Sequence, residues 1–323
     1  MSIDNIIDTL KEKESFMLTT HMNPEGDAIG STLALALALS SIGKNVTINT
    51  IDPVPGILKF LPSSNMVQQV KTVDGRFDAV IVLDCGDLER VGFLSKDNIP
   101  ADILINIDHH KTNPCFGTIN LVEEAVAAAD IVYTIIKKMG IPVTPEIAIC
   151  IYTAIMTETG SFRYTNTTNH TLRVAGEMIN FGANPAVIAD NVYNRNSIGR
   201  LNLLGLVLST LELSEDGKIA WITVLEEMFK ETGTTKEDTE DLINYPRSVV
   251  GVEVAILFRQ SGKDWKLSFR SNGRVDVALV SLEFGGGGHS MAAGCLLKGS
   301  HEEVMEKVIG KVAEAIGRIT YHK

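Results

Sequence analysis

The chain has 323 residues and a formal charge of −11, with 45% hydrophobic and 21% charged residues and four cysteines, Cys85, Cys115, Cys150 and Cys295, none in a CxxC pair. This length and balance suit a folded protein of two domains, and the acidity counts against one that tracks along duplex DNA or long RNA, whose affinity rests on many Lys and Arg contacts to phosphate. No run approaches the ~20 apolar residues of a membrane span; residues 1–13 mix Asp, Lys and Glu with Ile and Leu at helical spacing, which makes a poor secretory signal, and the scattered cysteines point to a reducing, cytoplasmic setting without zinc–thiolate sites.

In chain order, the apolar run 15–20 reads as a buried strand and gives way to His21-Met22-Asn23-Pro24-Glu25-Gly26-Asp27. Residues 28–39 are apolar on nearly every side, the pattern of a helix buried against a sheet. Gly43 stops that helix before a strand at 46–50, so the unit is a βαβ crossover. A loop at 52–56 and a short helical stretch at 57–61 follow. Strands at 78–83 and 103–107 come next, ending in Asp84-Cys85-Gly86-Asp87 and in Asp108-His109-His110. Helices at 125–139 and 145–156 carry buried stripes, and the second runs into Thr157-Glu158-Thr159-Gly160. The polar stretch 162–168 is read either as a substrate contact or as a solvated loop that caps a helix from His170. A helical run over 184–213 leads to a turn at 215–218.

From residue 219 the pattern changes to strands joined by tight turns. A strand at 219–224 precedes a hairpin of 252–258 and 265–270 around Ser261-Gly262-Lys263-Asp264. Then come a helix at 275–284, the run Gly285-Gly286-Gly287-Gly288-His289, a strand at 293–297 and an amphipathic helix at 301–316. The expected fold class is α/β: a parallel-sheet N-terminal domain with flanking helices (1–190), a linker helix (191–213) and a smaller mixed α+β C-terminal domain (214–323).

Four segments far apart in sequence thus end in groups that bind metal or move protons. In an open parallel sheet such strand ends share one crevice, and a crowd of carboxylates with two imidazoles is untenable there without cations. His21, Glu25 and Asp27 around Pro24 and Gly26 suit two adjacent ions, Asp84 can bridge them, and His109 with Glu158 can complete the set. Imidazole and carboxylate without thiolate favour manganese, with magnesium or cobalt as alternatives, over structural zinc. Two ions ~3.5–4 Å apart clamp both oxygens of an in-line displacement at phosphorus. In the C-terminal domain the glycines permit close backbone approach and His289 adds a chargeable donor, while Arg270, Ser271 and Asn272 offer a phosphate or base-edge site; a flexible loop is the competing reading.

In their order, the segments 21–31, 83–87, 108–110, 157–162 and 285–294 resemble the DHH phosphoesterase superfamily over almost the whole chain. Within it they are similar to the NrnA-type group, which combines oligoribonuclease (nanoRNase) and pAp phosphatase activities. The resemblance implies that His21, Glu25 and Asp84 hold one manganese ion, and that Asp27, Asp84, His109 and Glu158 hold the other. It implies that Asp108 orients the imidazoles and that His110 contacts the scissile phosphate or protonates the leaving oxygen. Arg270 with Gly286, Gly287, Gly288 and His289 would bind the nucleotide across an interdomain cleft. The family pattern has Asp where this chain has Glu25 and Glu158, and each added methylene moves a carboxylate by about one bond length where metal distances tolerate ~0.2 Å.

The implied function is a two-metal phosphohydrolase acting on very short RNA or on 3′-phosphoadenosine 5′-phosphate (pAp), with homodimerisation left open. One rival is an inorganic pyrophosphatase or polyphosphatase, against which the glycine run and His289 argue. A cyclic-dinucleotide phosphodiesterase would be expected to carry sensory and membrane segments. A catalytically weak nucleotide-binding module is the third, suggested by Glu25 and Glu158.

Overall fold

The computed structural model describes residues 3–239 and 241–320, with the backbone alone for His289, Ile319 and Thr320. The chain divides into two compact units, the first ending at Arg195 and the second beginning at Asn196.

In the first unit α1 (Ile3–Glu12), β1 (Ser15–Thr19), α2 (Gly26–Ser41) and β2 (Asn45–Thr50) are followed by β3 (Val67–Gln69), β4 (Ala79–Leu83), β5 (Ile103–Asp108) and β6 (Ile119–Val122). Helices α3 (Ala128–Lys138), α4 (Pro145–Glu158), α5 (Asn169–Asn180) and α6 (Pro185–Tyr193) complete it. The strands form one parallel sheet in the order β3-β2-β1-β4-β5-β6. Strand order reverses direction between β1 and β4, so the crevice of this doubly wound sheet falls outside the carboxyl ends of those two strands. Both strands are apolar because both faces are covered. Phe16, Leu18, Ile81 and Leu83 pack with the helices. Met17, Val80 and Val82 meet an irregular segment carrying Leu88, Val91, Phe93 and Leu94. The edge strands β3 and β6 are short and part-exposed, and no apolar run announces them in the sequence.

Helix α2 is buried nearly all round because α4 packs against it closely. Gly26 and Gly30, one turn apart, make the room. A Cβ on Gly30 would lie 2.6 Å from the Cys150 carbonyl oxygen and 2.9 Å from Ala154 Cβ, and one on Gly26 would overlap Thr157. This approach sets the N-terminal end of α2, with Asp27, beside the C-terminal end of α4, with Glu158.

The second unit contains α7 (Ile198–Leu208), β7 (Glu212–Leu213), β8 (Ile219–Val224), α8 (Glu226–Thr232), α9 (Asn244–Arg247), β9 (Val254–Ser261) and β10 (Asp264–Ser271). After these come α10 (Val277–Leu282), β11 (Gly287–His289), β12 (Ala292–Lys298) and α11 (His301–Thr320). Its sheet runs β11-β12-β10-β9-β8-β7. Ile256 and Phe258 of β9 face a core with α10 and α11, and Ala255 and Leu257 face another with α7 and α8, the alternation of a strand covered on both sides.

Two expectations are corrected. The helix expected across 191–213 is broken: α6 stops at Tyr193, and Ser197 starts α7 by accepting the Arg200 N–H at 3.1 Å. The Asn and Ser residues of 194–197 supply capping chemistry that ends one helix and begins another. Nor are all strands of the second unit joined by tight turns. β8 runs parallel to β9, which requires the crossover made by α8 and α9. Among the described residues no helix is long and apolar enough to cross a membrane.

Candidate metal centre

The carboxyl ends of three neighbouring strands deliver the site: β1 leads to His21, β4 to Asp84, and β5 to Asp108, His109 and His110. Asp84 stands at the centre, 1% exposed, with a left-handed φ of 49° that an Asp adopts at modest cost. His21 Nε2 lies 3.7 Å from Asp84 Oδ2 and 4.0 Å from Glu25 Oε1. His109 Nε2 lies 3.3 Å from Asp84 Oδ1 and 3.7 Å from Asp27 Oδ2. Two sets of ligand atoms result, His21–Glu25–Asp84 and Asp84–His109–His110, and Asp84 belongs to both.

The rings are aimed by their other nitrogens. His21 Nδ1 is 2.8 Å from the Met22 carbonyl and His109 Nδ1 is 3.2 Å from the Ala125 carbonyl, so each ring is held through Nδ1 against backbone and turns its Nε2 inward. His110 is held differently, with Nδ1 2.6 Å from Asp108 Oδ1. Asp108 is fully buried, and its other oxygen accepts from Asn113 Nδ2 at 2.6 Å. The expectation that Asp108 orients the imidazoles is therefore narrowed to His110, since the Ala125 carbonyl orients His109. Asn113, which also donates to Asn106 Oδ1 at 2.7 Å, completes this support and carries no motif of its own to flag it in the sequence.

Asp27 is fully buried in the first turn of α2 and accepts the N–H groups of Ala128 (2.6 Å) and Ala129 (3.0 Å), which open α3. Neither Asp27 nor Glu158 falls in the two ligand sets among the described residues. Both interact electrostatically with them. Burial, then the charge of Asp84, pushes Asp27 up to about 7. Burial, then Asp27, Glu25 and Asp84, pushes Glu158 well above the carboxylate range. Burial opposes ionisation of Asp84 as well, but its contacts with His109 and His21 win and hold it well below that range. His109 answers in kind: burial would lower it, yet Asp84 and Asp27 raise it to about 10. Glu25 is raised by its surroundings and by Asp84, an effect its 66% exposed side chain dilutes.

Asp84 Oδ1 is buried and has no hydrogen-bond partner. A buried carboxylate oxygen that accepts no hydrogen bond among the described residues is costly even with the His109 ring 3.3 Å away, and a cation there would relieve Asp27 and Glu158 as well. The donors fit a divalent ion. Cys85 adds no thiolate, since its Sγ lies 3.0 Å from the Asp87 carbonyl and burial pushes its thiol up to about 12. Sequence reasoning also missed Arg90. Its Nη2 lies 3.4 Å from His21 Nδ1, and its carbonyl accepts the Met22 N–H at 2.6 Å.

In the second unit Arg270 is half-buried at the end of β10, with Nη1 3.1 Å from the Phe269 carbonyl. Ser271 is fully buried and its hydroxyl accepts the Gly273 N–H, so it serves the turn rather than a ligand. The glycine run is no flexible loop, because Gly287–His289 pairs antiparallel with β12. A Cβ on Gly286 would overlap the Gly294 carbonyl and the Ser281 hydroxyl, and one on Gly288, at φ 140°, would lie 2.5 Å from the Ala292 carbonyl. Among the described residues Gly287 has open space around it. The His289 side chain, expected to bind substrate, lies outside the described residues.

Residues 15–155 match the DHH family, N-terminal domain, and residues 217–318 match the DHHA1 domain. Over 320 residues the chain is 35% identical to the bifunctional oligoribonuclease and PAP phosphatase NrnA of Thermus thermophilus, covering 98% of this chain and 95% of that protein. The chain belongs to the DHH phosphoesterase family. NrnA of Bacillus subtilis is 27% identical to this DHH protein, with 90% and 91% of the two chains covered. A solved exopolyphosphatase-related protein from Bacteroides fragilis shares 29% identity and superposes with a TM-score of 0.89 over 98% of this chain and 95% of that one. DHH phosphoesterases are metal-dependent, and the residues of this DHH centre are of the kind such ions require.

Proposed function

We propose that this DHH protein is a manganese-dependent phosphohydrolase that degrades very short RNA oligonucleotides to mononucleotides and removes the 3′-phosphate of pAp to leave AMP. The observation that carries the reading is Asp84, buried, with one oxygen that accepts no hydrogen bond among the described residues, between the inward-turned Nε2 atoms of His21 and His109. The likeness to proteins named for these two activities, along nearly the whole chain, supports the substrate class.

We assign His21, Glu25 and Asp84 to one ion and Asp84, His109, Asp27 and Glu158 to the other. Those residues would hold two divalent ions, whose chemistry would be to neutralise phosphoryl oxygens and lower the pKa of water to near neutral pH. The remaining work falls to the chain. Asp108 and Asn113 fix His110, which contacts the scissile phosphate or hands a proton to the leaving oxygen. Arg90 supplies a guanidinium for the phosphate. The first unit is the catalytic domain. The second binds the nucleotide through Arg270 and the Gly286–Gly288 backbone. The free cysteines suit a cytoplasmic setting.

The test is hydrolysis of dinucleotides, pAp and pyrophosphate by purified protein with manganese. Release of mononucleotides and AMP supports the reading. Turnover of pyrophosphate alone, or of nothing while manganese is bound, sinks it.

A further inference from the structure

Another concavity of the first unit involves none of the proposed metal ligands. It encloses about 350 Å³ and is lined by Gly56, Ile57, Lys59, Phe60, Asn191 and Arg195. That volume is at the small end of ligand pockets and suits a single nucleotide. In a chain of net charge −11 it gathers two cations. Lys59 is exposed and forms no ion pair among the described residues. Among the described residues Arg195 has only a loose partner, Asp190 Oδ2 at 3.8 Å from Nε, with both side chains more than half exposed. Phe60 is half-buried, its ring anchored against the core while it borders the pocket. Asn191 is fixed by donating its side-chain amide to the Val187 carbonyl at 2.8 Å.

The segment that lines the pocket is tied to the metal centre through the loop before it. Its loop begins where β2 ends, beside β1, on the carboxyl edge of the sheet. Asp52 of that loop accepts the Asn23 N–H at 2.8 Å, and Asn23 belongs to the same turn as His21 and Glu25. Cations without firm partners, beside a rigid aromatic ring, are what a single-stranded nucleic acid needs. The charges meet phosphate and the ring offers a stacking face that any base can use.

We propose that this pocket is a subsite for a nucleotide flanking the scissile phosphodiester of an RNA oligonucleotide, with Lys59 and Arg195 on its phosphate and Phe60 against its base. The inference rests on the RNA-cleaving reading above. A mononucleotide such as pAp has no flanking nucleotide to place there.

The experiment compares KM for an RNA pentamer with KM for pAp in wild type, in the Lys59→Ala/Arg195→Ala double variant, and in Phe60→Leu, which keeps an apolar group against the core. Melting curves check that each variant is folded. The expected result is a rise in the pentamer-to-pAp KM ratio on the order of ten-fold in each variant. In the double variant, the slope of log affinity for the pentamer against log salt should also flatten by about 0.7 for each phosphate that the protein no longer neutralises. An unchanged ratio in variants of a wild type that cleaves the pentamer overturns the subsite alone. A wild type that cleaves no RNA overturns the reading on which the subsite rests, and the subsite with it.

Discussion

Gly286 and Gly287 are neighbours where the chain enters β11, yet an added Cβ meets opposite surroundings at the two. A methyl at Gly286 would overlap the Gly294 carbonyl and lie 2.5 Å from Cys295 Cβ, displacing the Ser281 hydroxyl that donates to Gly294 O at 2.7 Å. Overpacking of this kind costs about 1–3 kcal/mol, a fall of roughly 5–15 °C in the melting temperature of a unit this size. At Gly287 nothing among the described residues lies within 4 Å of the added carbon. An Ala there removes freedom from the unfolded chain and changes stability by less than about 1 kcal/mol, in the favourable direction. The fold therefore does not explain Gly287. Under the proposed assignment the nucleotide approaches its backbone closely, so a methyl in that path should raise KM for pAp and for a dinucleotide about ten-fold, or ~1.4 kcal/mol of binding. Calorimetry and steady-state kinetics on Gly286→Ala and Gly287→Ala separate the two effects. A Gly287→Ala protein that melts normally and keeps the wild-type KM would falsify the assignment of this backbone to substrate.

Asp84→Asn keeps the shape and tolerates the left-handed φ, so the protein should fold, while manganese titrated calorimetrically should bind at neither position with native affinity; loss beyond the roughly 10–100-fold that removal of a supporting partner costs is expected. Uptake of both ions by this variant would end the bridging role. Asn113→Ala should lower kcat about 10–100-fold with KM little changed, because the group it steadies is Asp108 and through it His110; a change in KM alone would contradict this. Gly30→Ala should lose about 1–3 kcal/mol in denaturant melts, since the carbon would sit 2.6 Å from a backbone carbonyl of α4. Asp78 accepts the Glu14 and Ser15 N–H groups, which hold its carboxyl below the usual range. A lowered folded value gives stability that is complete above the ordinary carboxylate value of about 4 and fades as pH falls through the folded one. The melting gap between wild type and Asp78→Asn should accordingly close on acidification from pH 6, and a gap that widens would show the sign to be wrong.

Much of this architecture is legible in the sequence because apolar runs ending in polar turns mark β1, β4 and β5, and a helix apolar all round marks α2. The edge strands β3 and β6 escape because their residues are only partly buried and carry no periodic signal. The break at 194–197 escapes because helix propensity on both sides hides one capping serine. The site divides in the same way. His21, Asp84 and Asp108 to His110 stand at strand ends and declare themselves. Asn113 and Arg90 act from irregular turns, where only the folded chain shows what they touch.

Glu25 and Glu158, where the resemblance implies Asp, become intelligible on the same grounds. Asp27 and Asp84 are locked: one has both oxygens on the first turn of α3, the other sits buried between two histidines at the end of a central strand. Neither could take an extra methylene without moving packed backbone. Glu25 precedes α2 with its side chain 66% exposed, and Glu158 is the last residue of α4. Helix termini are where a change of reach is absorbed by a turn of side chain or a small retreat of backbone, rather than by the sheet. Glu25→Asp should then shorten a side chain already 4.0 Å from His21 Nε2 and weaken binding at that ion, the opposite of what a lapsed enzyme awaiting its Asp would show.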